Sequence, residues 1–285
     1  MTDVSYGFIG LGQMGAPMAG RARPATVYDV RAEAMKPLVD AGARAAGSPA
    51  EVARAAEVIS VMVRDDAQVR DVVAEILASA PRGTVVAIHS TIRAGTAERL
   101  AEQAAPYGID VVDAPVTGGF MGAHDGRLAV MAGGTAAAVE RCRGPFGAFA
   151  DLVVHVGPVG AGTRAKLARN LLHFVAFTAA GEAQRLAEAA GLDPRALGKV
   201  VRHSDAVTGG PGAIMLRATT APLSPADDWY GVMEHVRELG EKDLALALEL
   251  GDDLGIDLPL ARLALDGFAR SLGLSPGLSA NTEDH

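Results

Sequence analysis

Residues 6–19, YGFIGLGQMGAPMA, decide the fold. A short apolar run leads into Gly10-x-Gly12-x-x-Gly15, and the residues that follow suit a helix. Glycines at this spacing between a strand and a helix allow a tight turn and a close backbone approach, with the helix N-terminus facing a pyrophosphate. A glycine-rich turn with no ligand has the same letters, so the neighbouring sequence must discriminate. It supplies Asp29, which closes a second apolar run in ATVYDV, 19 residues after Gly10. An acid roughly 20 positions on accepts hydrogen bonds from adenosine ribose hydroxyls and repels a 2′-phosphate. The pair predicts a dinucleotide site that takes NAD in preference to NADP, with Gly10, Leu11, Gly12, Gln13, Met14 and Gly15 forming the phosphate loop. Arg31, two residues beyond the acid, is either a solvated charge or a phosphate contact.

Outward from this loop the first half alternates short β-branched runs with Ala-rich helical segments. SYGFIG, ATVYDV, EVISVMV, GTVVAIHS, IDVVDAP, RLAVMAGG and LVVHVG read as strands, near-continuously apolar, as strands buried on both faces are. Between them AEAMKPLVDAG, SPAEVARAA, DDAQVRDVVAEILASA and AGTAERLAEQAAPYG read as helices. Ser48 has the chemistry of an N-cap, with Pro49 at the first helical position and Glu51 three residues on. Such alternation predicts an α/β doubly wound parallel sheet, a Rossmann domain over residues 1–157.

Strand signals stop after GPVGAG, and residues 158–285 read as an all-α C-terminal domain. Residues 161–190 form one long helix, apolar nearly all round from Leu171 to Ala180; that pattern belongs to a helix buried in a helical domain or against a partner subunit. Asp193 and Pro194 open the next helix, and two more run through residues 232–255 and 258–273. The tail SPGLSANTEDH is expected to fray.

Composition narrows the function. The 285 residues are 49% hydrophobic and 21% charged, with a net charge of −8 and no basic run, which argues against nucleic acid and anionic membranes. One cysteine, Cys142, leaves no intramolecular disulfide and fits a reducing compartment. The N-terminus carries no charged leader before an apolar run, and the chain is expected to be cytoplasmic. The seven histidines show no metal-ligand pairing, so no metal is expected.

Four motifs in order, GFIGLGQMGAPMA, DAPVTGG, GPVGAGTRAKLARN and GEKDLALA, give nearly the whole chain a resemblance to the β-hydroxyacid dehydrogenase family. That family includes 3-hydroxyisobutyrate dehydrogenase and semialdehyde reductases. The resemblance implies a Rossmann domain followed by a helical domain that builds a homodimer or homotetramer. It implies that Lys166 is the catalytic lysine, with Asn170 its partner one turn later. It places a substrate carboxylate at Thr117, Gly118 and Gly119, where the family usually has Ser for Thr117, and the cofactor along Val63 and Arg64 and beside Thr91. Lys242 matches a lysine that the second domain lends to the cleft and cofactor. There are departures: the stretch from Gly15 to Asp29 is about one helical turn shorter than the family norm, Arg169 stands where an asparagine is common, and residues 203–217 match no known substrate preference.

The residue types support this reading independently. Oxidising an alcohol requires a group that takes the hydroxyl proton, and burial can bring a lysine into range whereas arginine stays protonated. Of 26 basic residues only four are lysines, and two of those are Lys166 and Lys242. The alternative for Lys166 is a surface lysine near a helix start, a poor place for a cation. Gly118–Gly119 is a plain turn or an exposed run of N–H groups suited to an anion; Lys242 equally suits an ordinary charged helix face. His235, on the same helix, is a further candidate for the cleft, and His173 reads as a core histidine. The sequence therefore predicts hydride transfer between a nicotinamide and a small β- or γ-hydroxy acid or its semialdehyde. An imine reductase, which usually lacks a lysine at this position, and a catalytically idle NAD-binding scaffold are the alternatives.

Overall fold

The computed structural model describes residues 5–215 and 217–274, so the tail expected to fray lies outside them. The chain divides into two compact units between Asn170 and Leu171.

In the first unit the elements run β1 (Tyr6–Ile9), α1 (Gly15–Ala22), β2 (Thr26–Tyr28), α2 (Ala32–Asp40), β3 (Arg44–Ala45), α3 (Pro49–Ala55), β4 (Val58–Val61) and α4 (Asp66–Leu77). They continue with β5 (Val85–Ile88), α5 (Ala94–Ala104), β6 (Asp110–Asp113), β7 (Val116–Thr117), α6 (Gly119–Asp125), β8 (Leu128–Gly133), α7 (Ala136–Gly147) and β9 (Ala150–Gly157). All the strands form one sheet in the order β3-β2-β1-β4-β5-β6-β8-β7, with β9 also paired to β8. The first six strands in that order are parallel; β8 runs antiparallel to β6 and β7, and β9 parallel to β8. This is the doubly wound Rossmann arrangement, and the strand order reverses between β1 and β4. The crevice at the carboxyl ends of those two strands is where such sheets bind ligands. β3 and β7 were not legible because two residues carry no periodicity.

Every residue of β1, β4 and β5 is buried, as their apolar runs required. Successive side chains enter different layers: Phe8, with Met18, Phe146 and Phe149, fills one, and Ile9, with Val52, Ile59 and Val73, the other. Ser48 caps α3 by accepting from Glu51 N–H at 3.3 Å, while the Glu51 carboxylate reaches back to Gly47 N–H at 2.9 Å.

α8 (Ala161–Ala189) starts in the first unit and passes the division; α9 (Pro194–Thr208), α10 (Tyr230–Asp253) and α11 (Pro259–Ser271) belong to the second. Asp193 caps α9 through Arg195 N–H at 2.9 Å. α10 packs on α11 around Met233, Ala269 and Leu272. Gly240 permits their approach, because a Cβ there would stand 2.2 Å from the Phe268 ring. Among the described residues the apolar stretch of α8 is left open: Leu171, Phe174 and Phe177 are 69%, 59% and 60% exposed. Of the two environments its pattern allowed, the described residues do not supply a helical interior. His173 is likewise no core residue; it is half-buried against the Phe174 and Phe177 rings.

α11 opens with Pro259 and has no side-chain cap from its own N-terminal segment. Its orphan N–H groups at Leu260 and Ala261 donate instead to the buried Glu182 carboxylate on α8, at 2.8 and 3.0 Å. Glu182→Ala removes two charge-assisted bonds and is expected to destabilise the protein by about 2–3 kcal/mol. A thermal melt checks this; an unchanged midpoint would show that the cap contributes nothing.

Candidate active site

A cavity of about 710 Å³ opens at the carboxyl ends of β1 and β4, within the size range of small-molecule and cofactor sites. Gly10, Gly12, Gln13, Met14, Gly15, Asp29, Arg31, Val63 and Arg64 line it, so most of the predicted nucleotide residues converge. Gly10 has φ +91°, and a Cβ there would lie 2.3 Å from the Met62 carbonyl oxygen. A Cβ on Gly15 would lie 2.0 Å from the Gly10 carbonyl oxygen, whereas nothing crowds Gly12. Two glycines therefore fold the loop, and the third leaves its outer face open.

Leu11 is buried and does not line the cavity; its N–H donates to Asp29 Oδ2 at 2.7 Å. Asp29 Oδ1 accepts from the Arg31 N–H at 2.9 Å, and Arg31 Nε stands 3.4 Å from the same oxygen. The acid thus joins the loop to the end of β2, and Arg31 is paired with it. On the opposite strands Ser90 Oγ donates to Val63 O at 2.7 Å and accepts from Val63 N–H at 2.9 Å. This bond ties the ends of β4 and β5 together. Thr91 follows directly, exposed and outside the cavity lining. The α4 side chains Gln68, Asp71, Val72 and Glu75 also line the cavity and were missed. Their spacing marks one helix face, but a helix face does not declare what it covers.

The second half of the site is built on the start of α8. The Asp113 carboxylate, at the end of β6 and fully buried, accepts from Gly160 N–H at 2.8 Å and Thr163 N–H at 2.6 Å. These are the N-cap and N3 donors that a capping box would satisfy. Burial raises the Asp113 pKa, and the two backbone bonds oppose the rise. The helix start can sit so close because two facing residues are glycines. A Cβ on Gly162 would be 2.3 Å from Asp113 O, and one on Gly133 would be 2.4 Å from Asp113 Oδ1.

This seating brings Lys166 to β7. It is 9% exposed, and its Nζ donates to Val116 O at 2.7 Å. Burial, and then the charge of Arg169, hold its pKa below the ordinary lysine value. Lys166 lies in the second turn of α8, where the charge of the helix end adds little. Asn170 is one turn on, half-buried, its Oδ1 accepting from Arg169 Nη1 at 3.3 Å.

Thr117, Gly118 and Gly119 come directly after the carbonyl that Lys166 grips. Gly118 has φ +125° and a Cβ would press the Leu128 side chain at 3.0 Å; Gly119 has φ +64° with open space. Lys242 is exposed on α10, its Nζ 3.1 Å from Asp243 Oδ1, and His235 is exposed on the same helix. Cys142 is buried, and burial pushes its thiol up to about 12, which makes it an unreactive core residue. Asp113 and Ser90 were missed as site residues, and each works through a partner distant in the chain.

Residues 5–157 match the NAD-binding domain of 6-phosphogluconate dehydrogenase, and residues 160–274 match the NAD-binding family of NADP-dependent 3-hydroxyisobutyrate dehydrogenase. An uncharacterized oxidoreductase of Mycobacterium tuberculosis is 56% identical over 94% of this chain and 93% of its own length. The NAD-dependent L-serine dehydrogenase of Pseudomonas aeruginosa is 35% identical over 90% and 89%. A crystal structure of an oxidoreductase from Mycobacterium avium 104 superposes with a TM-score of 0.92 at 53% identity, covering 96% of this chain and all of that one. An imine reductase of Streptomyces aurantiacus, at 20% identity and a TM-score of 0.73 over 93% of both chains, shares the fold. A nucleotide loop ending on an acid, and a buried lysine held beside a Thr-Gly-Gly turn, thus stand in a chain that belongs to the β-hydroxyacid dehydrogenase family of oxidoreductases.

Proposed function

We propose that the protein is an NAD-dependent dehydrogenase or reductase of a small β- or γ-hydroxy acid and its semialdehyde. The observation that carries this reading is Lys166: a buried lysine with lowered pKa, bonded to the carbonyl one residue before Thr117.

The Gly10–Gly15 loop suits a pyrophosphate: Gly12 leaves room, and a side chain at Gly10 or Gly15 would close the turn. Asp29 and Arg31 meet the adenosine end, Val63 and Arg64 flank the nucleotide, and Thr91 and Lys242 complete the assignment. When bound, the nicotinamide supplies the hydride acceptor for oxidation and the donor for reduction. Thr117, Gly118 and Gly119 hold the substrate carboxylate through hydroxyl and backbone N–H groups. Lys166 in its neutral form keeps its bond to Val116 O and offers a lone pair to the substrate hydroxyl. It takes that proton during oxidation and returns it during reduction, and Asn170 orients the same hydroxyl. The name of the Pseudomonas relative, an NAD-dependent dehydrogenase of a β-hydroxy acid, favours both the cofactor and the substrate class.

No helix among the described residues is long and apolar enough to cross a membrane, and we assign the enzyme to the cytoplasm. The exposed apolar stretch of α8 suits a second copy of the chain, giving a homodimer or homotetramer through the helical region.

Lys166→Arg is expected to lower kcat by about 10²–10⁴-fold while NAD still binds, since a guanidinium cannot give up its proton. Near-normal turnover in this variant would remove Lys166 from the mechanism. In the wild type, oxidation should rise with pH through an inflection below the ordinary lysine range, because the neutral amine is the base. A profile flat across that range, with chemistry rate-limiting, would contradict it. A panel of small hydroxy acids and aldehydes with both cofactors tests the class; reduction of cyclic imines alone would favour an imine reductase, and NAD binding without turnover an idle scaffold.

Asp29→Asn is expected to raise NADP affinity relative to NAD by about tenfold, because it removes a like charge and releases Arg31 toward a 2′-phosphate. Titration of both nucleotides checks it; a wild-type preference for NADP would overturn the role given to Asp29.

A further inference from the structure

His89 directly follows β5, buried at the carboxyl end of the sheet, and has no part in the chemistry above, yet it is bonded to the segment that carries the site. It is 1% exposed, stacked on Phe8 with ring centroids 6.4 Å apart and edge-on to Phe146 and Phe149 at 5.0 and 5.6 Å. A phenylalanine or leucine would satisfy that packing. The imidazole instead makes two short bonds, Nδ1 to Ala114 O at 2.8 Å and Nε2 to Ser60 Oγ at 2.7 Å. Tyr6 Oη donates to the same Ser60 oxygen at 2.7 Å.

The donors and acceptors assign every proton. A carbonyl only accepts, so Nδ1 carries the hydrogen. Burial lowers the His89 pKa to about 4, so the ring is neutral and Nε2 is an acceptor. Ser60 therefore donates to Nε2 and accepts from Tyr6. The chain Tyr6 O–H to Ser60 O–H to His89 Nε2 admits one tautomer, and that tautomer places its remaining hydrogen on Ala114.

Ala114 sits where the parallel ladder stops. Its N–H still donates to Ile88 O at 2.8 Å, but its carbonyl accepts from the imidazole. The residue before it is Asp113, which caps α8, and two residues after it Val116 O accepts from Lys166. We propose that His89 is a positioning residue for this site: held as its Nδ1–H tautomer by Tyr6 and Ser60, it sets the Ala114 carbonyl and with it the backbone that presents Val116 O to Lys166 and Thr117–Gly119 to substrate. The consequence for catalysis rests on the function proposed above; the consequence for Lys166 itself does not.

Two substitutions separate positioning from bulk stability. In His89→Asn the amide nitrogen overlaps the place of Nδ1 and still donates to Ala114, although the Ser60 bond is lost. In His89→Leu both bonds are lost. The first is expected to keep kcat within about threefold of wild type. The second should lose about thirtyfold or more in kcat, with NAD affinity unchanged, while both lower the thermal midpoint. Lys166 titration followed by ¹³Cε NMR gives a readout that needs no turnover: the pKa should move up toward the ordinary lysine range in His89→Leu and stay in place in His89→Asn. Ring ¹⁵N shifts of the wild type should report a protonated Nδ1 and a bare Nε2.

A protonated Nε2 in the wild type, or a Lys166 titration unchanged in His89→Leu, would overturn the proposal, as would equal kcat losses in the two variants. If His89→Leu does not fold, the ring ¹⁵N shifts and the Lys166 titration in His89→Asn decide. Absence of hydroxy acid turnover in the wild type would instead sink the proposed function and leave the Lys166 titration to judge this inference.

Discussion

One buried carboxylate sets the geometry on which the site is built. Asp113 receives the N–H groups of Gly160 and Thr163, two of the donors that every helix start leaves without an intrahelical partner. The GPVGAG stretch cannot satisfy them itself, since its residues carry no hydrogen-bonding side chain. Burying an acid is unfavourable, and its pKa rises accordingly, but two donors at short range offset the penalty. With the helix start so held, and with Gly133 and Gly162 allowing backbone contact, the Lys166 head group is brought to the Val116 carbonyl.

The same device recurs in the second unit, where Glu182 on α8 caps α11 from a distance. In both cases a helix with no adequate cap of its own borrows a carboxylate that folding brings to it. The carboxyl edge of the sheet follows a related logic. Where the backbone ladder ends, side chains take over: Asp29 bonds the glycine loop, Ser90 bonds Val63, and His89 bonds Ala114. Past the ends of the strands no ladder partner is left, and these polar side chains supply the order that a strand would have supplied.

Much of this was legible in advance. The alternation of runs predicted the α/β sheet, the glycine spacing predicted the loop, and Asp29 was found by its distance from Gly10. Lys166 and the Thr117–Gly119 turn are singled out by resemblance, with the scarcity of lysine in support, and the fold brings the lysine to the carbonyl just before that turn. What the pattern leaves open has a physical cause. The apolar pattern of α8 suits either a helical interior or a partner subunit, and among the described residues Leu171, Phe174 and Phe177 are exposed, because periodicity reports that a face is apolar and not what covers it.

Local pattern was enough for the elements, the nucleotide loop and the caps at Ser48 and Asp193, because each rests on residues within a few positions of one another. Folding alone could decide the partners of Asp113, Lys166 and His89. Gly160 lies 47 positions from Asp113, Lys166 lies 50 from Val116, and His89 lies 25 from Ala114. A carboxylate, an amine and an imidazole in a sequence state which bonds they can make. Which bonds they do make follows from strands and a helix start packed together in one place, and no spacing in the chain encodes that.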